Sequence, residues 1–179
     1  MIEPRSFWPP CLLPKPAQAR DVDQIAALQQ SARPDCLPME REEIRRHLDE
    51  FEVIHDSESR VIATAALRPI GARRGELRSL VVSAEWRGQG LGLGLVERIV
   101  GRSRAAQLEL VCVTRQRDFF RRLGFHDIDL AQVSPKPRHP GPPDPRRVGM
   151  ALAAPQLLAA PQLLVAGRPR APRPSQARA

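Results

Sequence analysis

Six consecutive residues, Arg87-Gly88-Gln89-Gly90-Leu91-Gly92, carry the clearest chemical information in the chain. Their three glycines permit positive φ and a close approach of a ligand to the backbone. A loop of this kind aims several main-chain N–H groups at one point. Together with the positive end of a following helix, those donors suit a pyrophosphate. Arg87 adds a formal positive charge at the loop entrance. The glycine spacing is not the GxGxxG of a dinucleotide fingerprint, and no Gly-Lys-Ser/Thr follows, which excludes a P-loop. A bare glycine pattern is most often an ordinary strand–helix turn. Here the strand before it, the helix after it and the arginine in front agree with a phosphate role.

Such a loop needs an element to deliver it and another to receive it. Glu76-Leu77-Arg78-Ser79-Leu80-Val81-Val82 reads as the delivering strand. Leu77 with Leu80 to Val82 predicts a central strand buried on both faces at its far end. Leu91, Leu95, Val96, Ile99 and Val100 form the apolar stripe of a receiving helix over residues 91–105. Upstream, runs at 51–55 and 60–70 flank the polar turn Asp56-Ser57-Glu58-Ser59 and read as a hairpin, with a basic turn at 71–75. Two helices precede the hairpin. The first follows Asp21 and Asp23, acidic residues favoured at its positive end, and is stopped by Pro34. The second follows Pro38, with Ile44, His47, Leu48 and Phe51 at spacings of three and four. Downstream come a strand at 108–114, a short helix at 118–123 closed by Gly124, and last strands within 125–133 and 147–152.

Prolines at 4, 9, 10, 14 and 16 exclude a helix at the N-terminus and leave room for a short edge strand around Cys11 to Lys15. Residues 134–145 read as an irregular linker. From Ala153 the hexapeptide AAPQLL occurs twice and then gives way to Arg-, Pro- and Ala-rich sequence, a composition that favours disorder. The expected organisation is an extension at 1–12, one domain at 13–152 and a disordered tail at 153–179.

The net charge is +8. Arg168, Arg170, Arg173 and Arg178 face no acid after Met150, and Lys136, Arg138, Arg146 and Arg147 outnumber Asp144 just before it. The folded core is therefore nearly neutral, which argues against nucleic acid as a partner and favours a solvated basic arm. Three separated cysteines, Cys11, Cys36 and Cys112, without a CxxC or Cys/His cluster, indicate neither a metal site nor a disulfide framework. There is no apolar stretch of the ~18 residues a membrane span requires. No signal-peptide pattern opens the chain. The expectation is a cytoplasmic protein without a membrane partner. His47 and His55 have no partner visible in the sequence and read as surface or interface residues.

The stretch ELRSLVVSAEWRGQGLGLGLVERIV and the later DFFRRLGF resemble the GNAT superfamily of N-acetyltransferases, whose R/Q-x-x-G-x-G/A signature R-G-Q-G-L-G matches. Within it, LPMEREEIRRHLDEFEVIHD makes the chain most similar to the acetyltransferase domain of N-acetylglutamate synthases and related small amino-acid N-acetyltransferases. Arsenic-resistance-associated acetyltransferases share much of the pattern. The resemblance spans roughly residues 13–130. It implies an α/β (α+β) fold, a mixed, splayed sheet flanked by helices, with acetyl-CoA as co-substrate between the strands at 76–82 and 108–114. The pyrophosphate would rest on the amides of Arg87, Gly88, Gln89, Gly90, Leu91 and Gly92. The pantetheine arm would pair with the main chain of Leu80, Val81 and Val82.

The resemblance further implies direct transfer: a deprotonated amine attacks the thioester, and an N–H of Val81 or Val82 stabilises the oxyanion. Glu76 is the candidate base, directly or through a water; otherwise it is a solvent-facing or salt-bridged strand carboxylate. Arg78 shares its face of the strand and either pairs with Glu76 or binds a substrate carboxylate. Many relatives protonate the thiolate with a tyrosine, but the chain has none, and Phe120 stands at that position. Phe119, Phe120 and Phe125 read as packing around the CoA arm or the core. Related enzymes often carry Leu-Pro-Arg-Ser where this chain has Leu37-Pro38-Met39-Glu40, so a basic residue is replaced by Met39, with Arg41 positioned to compensate. Three readings follow: an enzyme acetylating a small amine such as glutamate; a non-catalytic acyl-CoA-binding regulatory module; and, ranked below both, nucleic-acid binding by the tail. Pairing into a homodimer is common among similar proteins.

Overall fold

The computed structural model describes residues 12–33, 35–133 and 144–152. One seven-stranded sheet runs through them in the order β1-β2-β3-β4-β5-β7-β6. Its strands are β1 (Lys15–Pro16), β2 (Phe51–His55), β3 (Val61–Ile70), β4 (Arg74–Val82), β5 (Glu109–Thr114), β6 (His126–Ile128) and β7 (Val148–Leu152). The helices are α1 (Val22–Ser31), α2 (Arg41–Arg46), α3 (Leu91–Ala105), α4 (Arg117–Arg122) and α5 (Leu130–Val133). Neighbouring strands are antiparallel except β4 and β5, which α3 joins as a parallel crossover.

Helices on both faces make the centre of the sheet dry. The stripe of α3, led by Leu91, Leu95 and Ile99, packs on Leu67, Leu77, Leu110 and Cys112. On the opposite face Val22, Ile25 and Leu28 of α1 and Ile44 of α2 meet Phe51, Val53, Ala66 and Val81. Burial from both sides explains why β3 reads as an unbroken apolar run rather than an alternation.

Two features of β4 shape everything built on it. Thr64 of β3 faces Val81, but Ala66 faces Arg78, so Ala65 alone stands opposite Ser79 and Leu80. This is a β-bulge, and Ser79 adopts φ +54° within it. The extra residue exchanges the two faces. Leu77 packs in the α3 core before the bulge, whereas Leu80 and Val82 pack there after it and Val81 turns to the α1 core. By the same alternation Glu76 and Arg78 fall on the α1 side. The second feature is a splay. β4 and β5 pair from Arg74–Glu109 to Leu77–Cys112 and then part. β5 continues along β7 as far as Thr114–Val148.

The splay corrects one expectation. The far end of β4 is half-buried at Leu80 and Val82, and the closed end is Gly75 to Leu77, because the neighbouring strand leaves at Leu77. The second helix is shorter than its apolar spacing suggests: α2 ends at Arg46, a 3-10 turn covers Leu48–Glu50, and Phe51 opens β2. Only His126–Ile128 of the 125–133 stretch is strand; Leu130–Val133 is a helical turn. His55 is buried rather than superficial. Its Nε2 lies 2.9 Å from Oδ1 of Asp21, a partner 34 residues earlier that no local pattern reveals. The edge strand is Lys15–Pro16 and the first helix ends at Ser31. Pro34, residues 1–11 with Cys11, most of the 134–145 linker and the AAPQLL tail lie outside the described residues.

A charged anchor holds the distal half of α3. Glu52, buried on β2, takes Arg98 Nε at 3.2 Å and Arg102 Nη1 at 3.3 Å. Arg102 also donates to the carbonyls of Glu50 and Asp49. The position of α3 is thereby fixed at both ends, by the loop that starts it and by this cluster.

Candidate functional site

After Val82 the chain makes one 3-10 turn at Ala84–Trp86 and enters the glycine loop. Gly88 has φ +76° and Gly90 φ +83°, a region that costs an L side chain roughly 1–2 kcal/mol. Gly90 is the N-cap of α3 and has no side chain with which to cap it. The first four amides of a helix have no intrahelical acceptor. The loop thus ends in main-chain donors that its own N-cap side chain does not seal. Gly92 faces β4 and α4, where a Cβ would make ordinary contact with Val82 at 3.6 Å and Phe119 at 3.9 Å. Leu91 is buried in the α3 core, so it offers the loop only its main chain. Arg87 is exposed and its Nε donates to the Val82 carbonyl at 3.2 Å, which ties the loop to the end of β4.

That contact also orients the strand edge. The N–H of Ser83 donates to Ile62 of β3 at 2.8 Å. Main-chain groups alternate along a strand. Those of Val82 and Leu80 therefore face the splay, and those of Val81 face β3. On the α3 side, Leu80, Val82, Trp86, Leu93 and Phe119 are among the partly buried apolar side chains packed against the core, and they come from the strand end, the loop and the helices that border the opening. Trp86 and Leu93 carry no signal in the sequence because neither belongs to a periodic stripe; both are partly buried against the α3 core. Phe119 borders the opening beside Gly92, while Phe120 is only 3 % exposed and stacks edge-to-face with Phe119 and Phe125, each at 5.1 Å. Of the three phenylalanines, Phe119 lines the opening and the other two are core.

On the α1 face, Glu76 lies one rung below the point where the strands part, 2 % exposed, opposite Arg68 and Val111. It is neither solvent-facing nor remote from the opening. Burial, with the Glu76 charge beside it, pushes the Cys112 thiol well above its ordinary range, so Cys112 stays protonated. Arg78 follows on the same face, half-buried. Above it sits the segment between α1 and α2. Met39 is 6 % exposed, its N–H donates to Oε1 of the buried Gln29 at 2.8 Å, and the Ser79 hydroxyl reaches its sulfur at 3.8 Å. Cys36 lies beside it, its thiol raised to about 11 by burial and drawn part of the way back by Arg78 and Arg147. Arg115, just past β5, crosses to Asp35 at 3.3 Å and pairs with Asp144, which also lies 3.8 Å from Nε of Arg147.

Arg41 occupies a different place from Arg78. It is 70 % exposed and its Nε meets Asp23 of α1 at 3.1 Å. It borders a cavity of about 240 Å³ lined by Ala26, Gln30, Arg33, Met39 and Glu40. Met39 therefore separates this outer cavity from the bulge of β4. Among the described residues no group of three or more His, Cys, Asp or Glu could hold a metal ion, and no helix is long and apolar enough to cross a membrane.

The arrangement offers main-chain donors for an anion, an apolar wall and open strand edge for an extended arm, and a buried carboxylate where the two walls meet. Comparison with known proteins gives it a context. The profile of the Acetyltransferase (GNAT) family matches residues 20–125, more than half of the chain. The amino-acid acetyltransferase of Pseudomonas syringae pv. syringae is 41% identical over 96 residues, covering 52% of this chain and 22% of the relative. That of Pseudomonas aeruginosa is 40% identical over 96 residues, again 52% of this chain and 22% of the relative. The chain thus spans about a fifth of the length of these curated relatives. Among solved structures, a Mycobacterium tuberculosis protein in complex with CoA and NLQ superposes with a TM-score of 0.66 at 22% identity, covering 78% of this chain and 98% of that one. N-acetylglutamate synthase from Neisseria gonorrhoeae, complexed with coenzyme A and N-acetyl-glutamate, gives 0.66 at 20% identity over 78% and 34%.

Proposed function

The chain belongs to the acetyltransferase (GNAT) family, and from that premise we propose that residues 13–152 transfer an acetyl group from acetyl-CoA to the amino group of a small molecule, in the class of amino acids. The observation that carries this reading is the junction of the Gly88–Gly90 loop with the splay at Leu77. One opening meets helix-end amides, a free strand edge and an apolar wall.

The pyrophosphate rests on the main-chain amides of residues 87–92, where they meet the positive end of α3. Pantetheine runs along the β4 edge past Val82, using the main-chain groups of Leu80, with Trp86, Leu93 and Phe119 against its apolar portions. Strand alternation assigns the oxyanion donor to Val82 rather than Val81. Glu76 accepts the proton of the bound ammonium, directly or through one water. The neutral amine attacks the thioester carbon, the C–N bond forms, and the tetrahedral intermediate collapses with cleavage of the C–S bond. Because Phe120 offers no proton, one of the two nitrogen protons passes to the departing thiolate, directly or by water, and the other stays on the amide. Arg78 receives the acceptor's carboxylate on the face it shares with Glu76. Arg41, on the outer rim, attracts an anionic acceptor without contacting the reacting atoms.

Titration with acetyl-CoA followed by CoA release across an amine panel tests the proposal. Binding together with acceptor-dependent release supports it. Binding without release from any amine favours the regulatory module that the missing tyrosine suggests, and no binding at millimolar acetyl-CoA ends both.

A further inference from the structure

The acceptor side of the opening carries a selective wall that the acetyl-transfer reading does not by itself require. Met39 touches Ser79, the bulge residue that immediately precedes Leu80. Leu80 and Val82 are the residues whose main chain faces the splay. Met39 thus stands on the α1 side of that edge, the face that carries Glu76 and Arg78. Its backbone is anchored, the Met39 N–H donating to the fully buried Gln29, and its side chain is 6 % exposed with the sulfur against the Ser79 hydroxyl. Cys36 belongs to the same buried cluster as Met39, and its raised pKa keeps it neutral at physiological pH.

Cations surround this neutral patch on the strand side. Arg78 on β4 and Arg147 before β7 both lie close enough to Cys36 to act on its thiol. Arg115 stands across the splay, bridging Asp35 and Asp144. A guanidinium has five donors, so an existing partner does not exhaust it. An anion bound between Arg78 and Arg147 keeps its charge compensated. A second anionic group pointing at Met39 and Cys36 meets a thioether and a thiol, and a charge desolvated without a partner is strongly disfavoured.

We infer that Met39 selects the acceptor, favouring an amine that carries one carboxylate beside the amino group and an uncharged, apolar side chain. The inference rests on the acetyl-transfer reading and adds the side-chain class to it. Met39 is a specificity-determining residue here and takes no part in proton transfer.

The test measures kcat/KM for leucine, methionine, glutamate, aspartate and isoamylamine by CoA release, with acetyl-CoA affinity determined for every variant. Wild type is expected to prefer leucine and methionine over glutamate and aspartate by about tenfold or more. Isoamylamine, which lacks the carboxylate, should fall behind leucine by at least a similar factor. Met39→Arg should reverse the order, and Met39→Leu should preserve it. If Met39→Arg does not fold, Met39→Gln serves, with the leucine-to-glutamate ratio falling towards one. A wild type that uses glutamate as well as leucine overturns the inference and leaves the acetyl-transfer reading standing. So does a Met39→Arg or Met39→Gln protein with normal acetyl-CoA affinity and an unchanged ratio. Absence of CoA release from every amine removes both.

Discussion

Gly90→Ala isolates the physical claim on which the cofactor site depends. Gly90 adopts φ +83° and ψ −1° at the N-cap of α3. An alanine held there is strained by roughly 1–2 kcal/mol, which corresponds to about 5- to 30-fold in an equilibrium constant. Where that strain is felt depends on what the loop does. If the conformation exists to present amides to a pyrophosphate, the variant loop relaxes in the free protein and ligand must restore it. Acetyl-CoA affinity then falls by up to about 5- to 30-fold. Gly71→Ala is the matched control, because Gly71 has φ +74° in the β3–β4 turn and open space around its Cα. Its strain should appear as a melting temperature lower by about 2–8 °C with affinity unchanged. Gly101→Ala, on the exposed side of α3, removes a helix-interior glycine and should stabilise by up to about 1 kcal/mol. Calorimetric titration and thermal melts of the three variants separate the outcomes. A Gly90→Ala protein that loses stability as Gly71→Ala does, yet binds acetyl-CoA within twofold of wild type, would refute the assignment of the loop.

Four further outcomes are expected. Glu76→Gln preserves shape while removing the proton acceptor, so kcat/KM with the best amine should fall by about 10²- to 10⁴-fold while acetyl-CoA affinity holds; a loss below tenfold moves the base elsewhere. Glu52→Gln strips a buried carboxylate from two arginines, but Arg98 and Arg102 can turn to water, so the cost in denaturant unfolding should be about 1–3 kcal/mol rather than the 3–5 of a fully buried pair. Asp127 has its pKa lowered to about 2, chiefly by its hydrogen bonds to Arg117. A lowered folded-state pKa stabilises above the unfolded value near 3.8 and is lost as pH falls through about 2, so melting curves of wild type and Asp127→Asn should converge as pH approaches 2. Burial and raised pKa values make Cys36 and Cys112 slow to alkylate at pH 8 in the folded protein and fast after unfolding, as site-resolved mass spectrometry can establish.

Much of the frame was legible because local patterns and tertiary needs coincide in it. The helix expected at about 91–105 is α3, its apolar stripe buried as expected, and the run at 51–55 is β2 as read. The glycine loop sits where strand and helix require it. Legibility failed where a long-range event decided the outcome. The half-exposure of Leu80 and Val82 follows from the departure of β5 at Leu77, which nothing within β4 announces. Phe51 continues a helical spacing from Ile44 but joins β2, because a strand partner, Ala66, and the α1 core outweigh the local periodicity. Asp21 reads as a helix-start acid and proves to hold His55. At the site, Glu76 stands out because it opens the strand that leads to the glycine loop and Arg78 follows from strand parity, whereas the positions of Trp86, Leu93 and Arg115 depend on tertiary packing that no local pattern announces.

The bulge at Ser79 has an evolutionary consequence. On the function proposed above, positions 76 and 78, upstream of it and turned to the α1 side, would address the incoming amine, and 80 and 82, downstream, the coenzyme. Substitutions in the first pair can drift towards new substrates while the second pair keeps an old commitment. Length enjoys no such freedom. Losing one residue at Ser79 would rotate Leu80 and Val82 towards α1 and Val81 towards α3, exchanging the two clienteles of the strand at a stroke. Diversification along this strand should therefore proceed through changes of letter, with insertions and deletions purged.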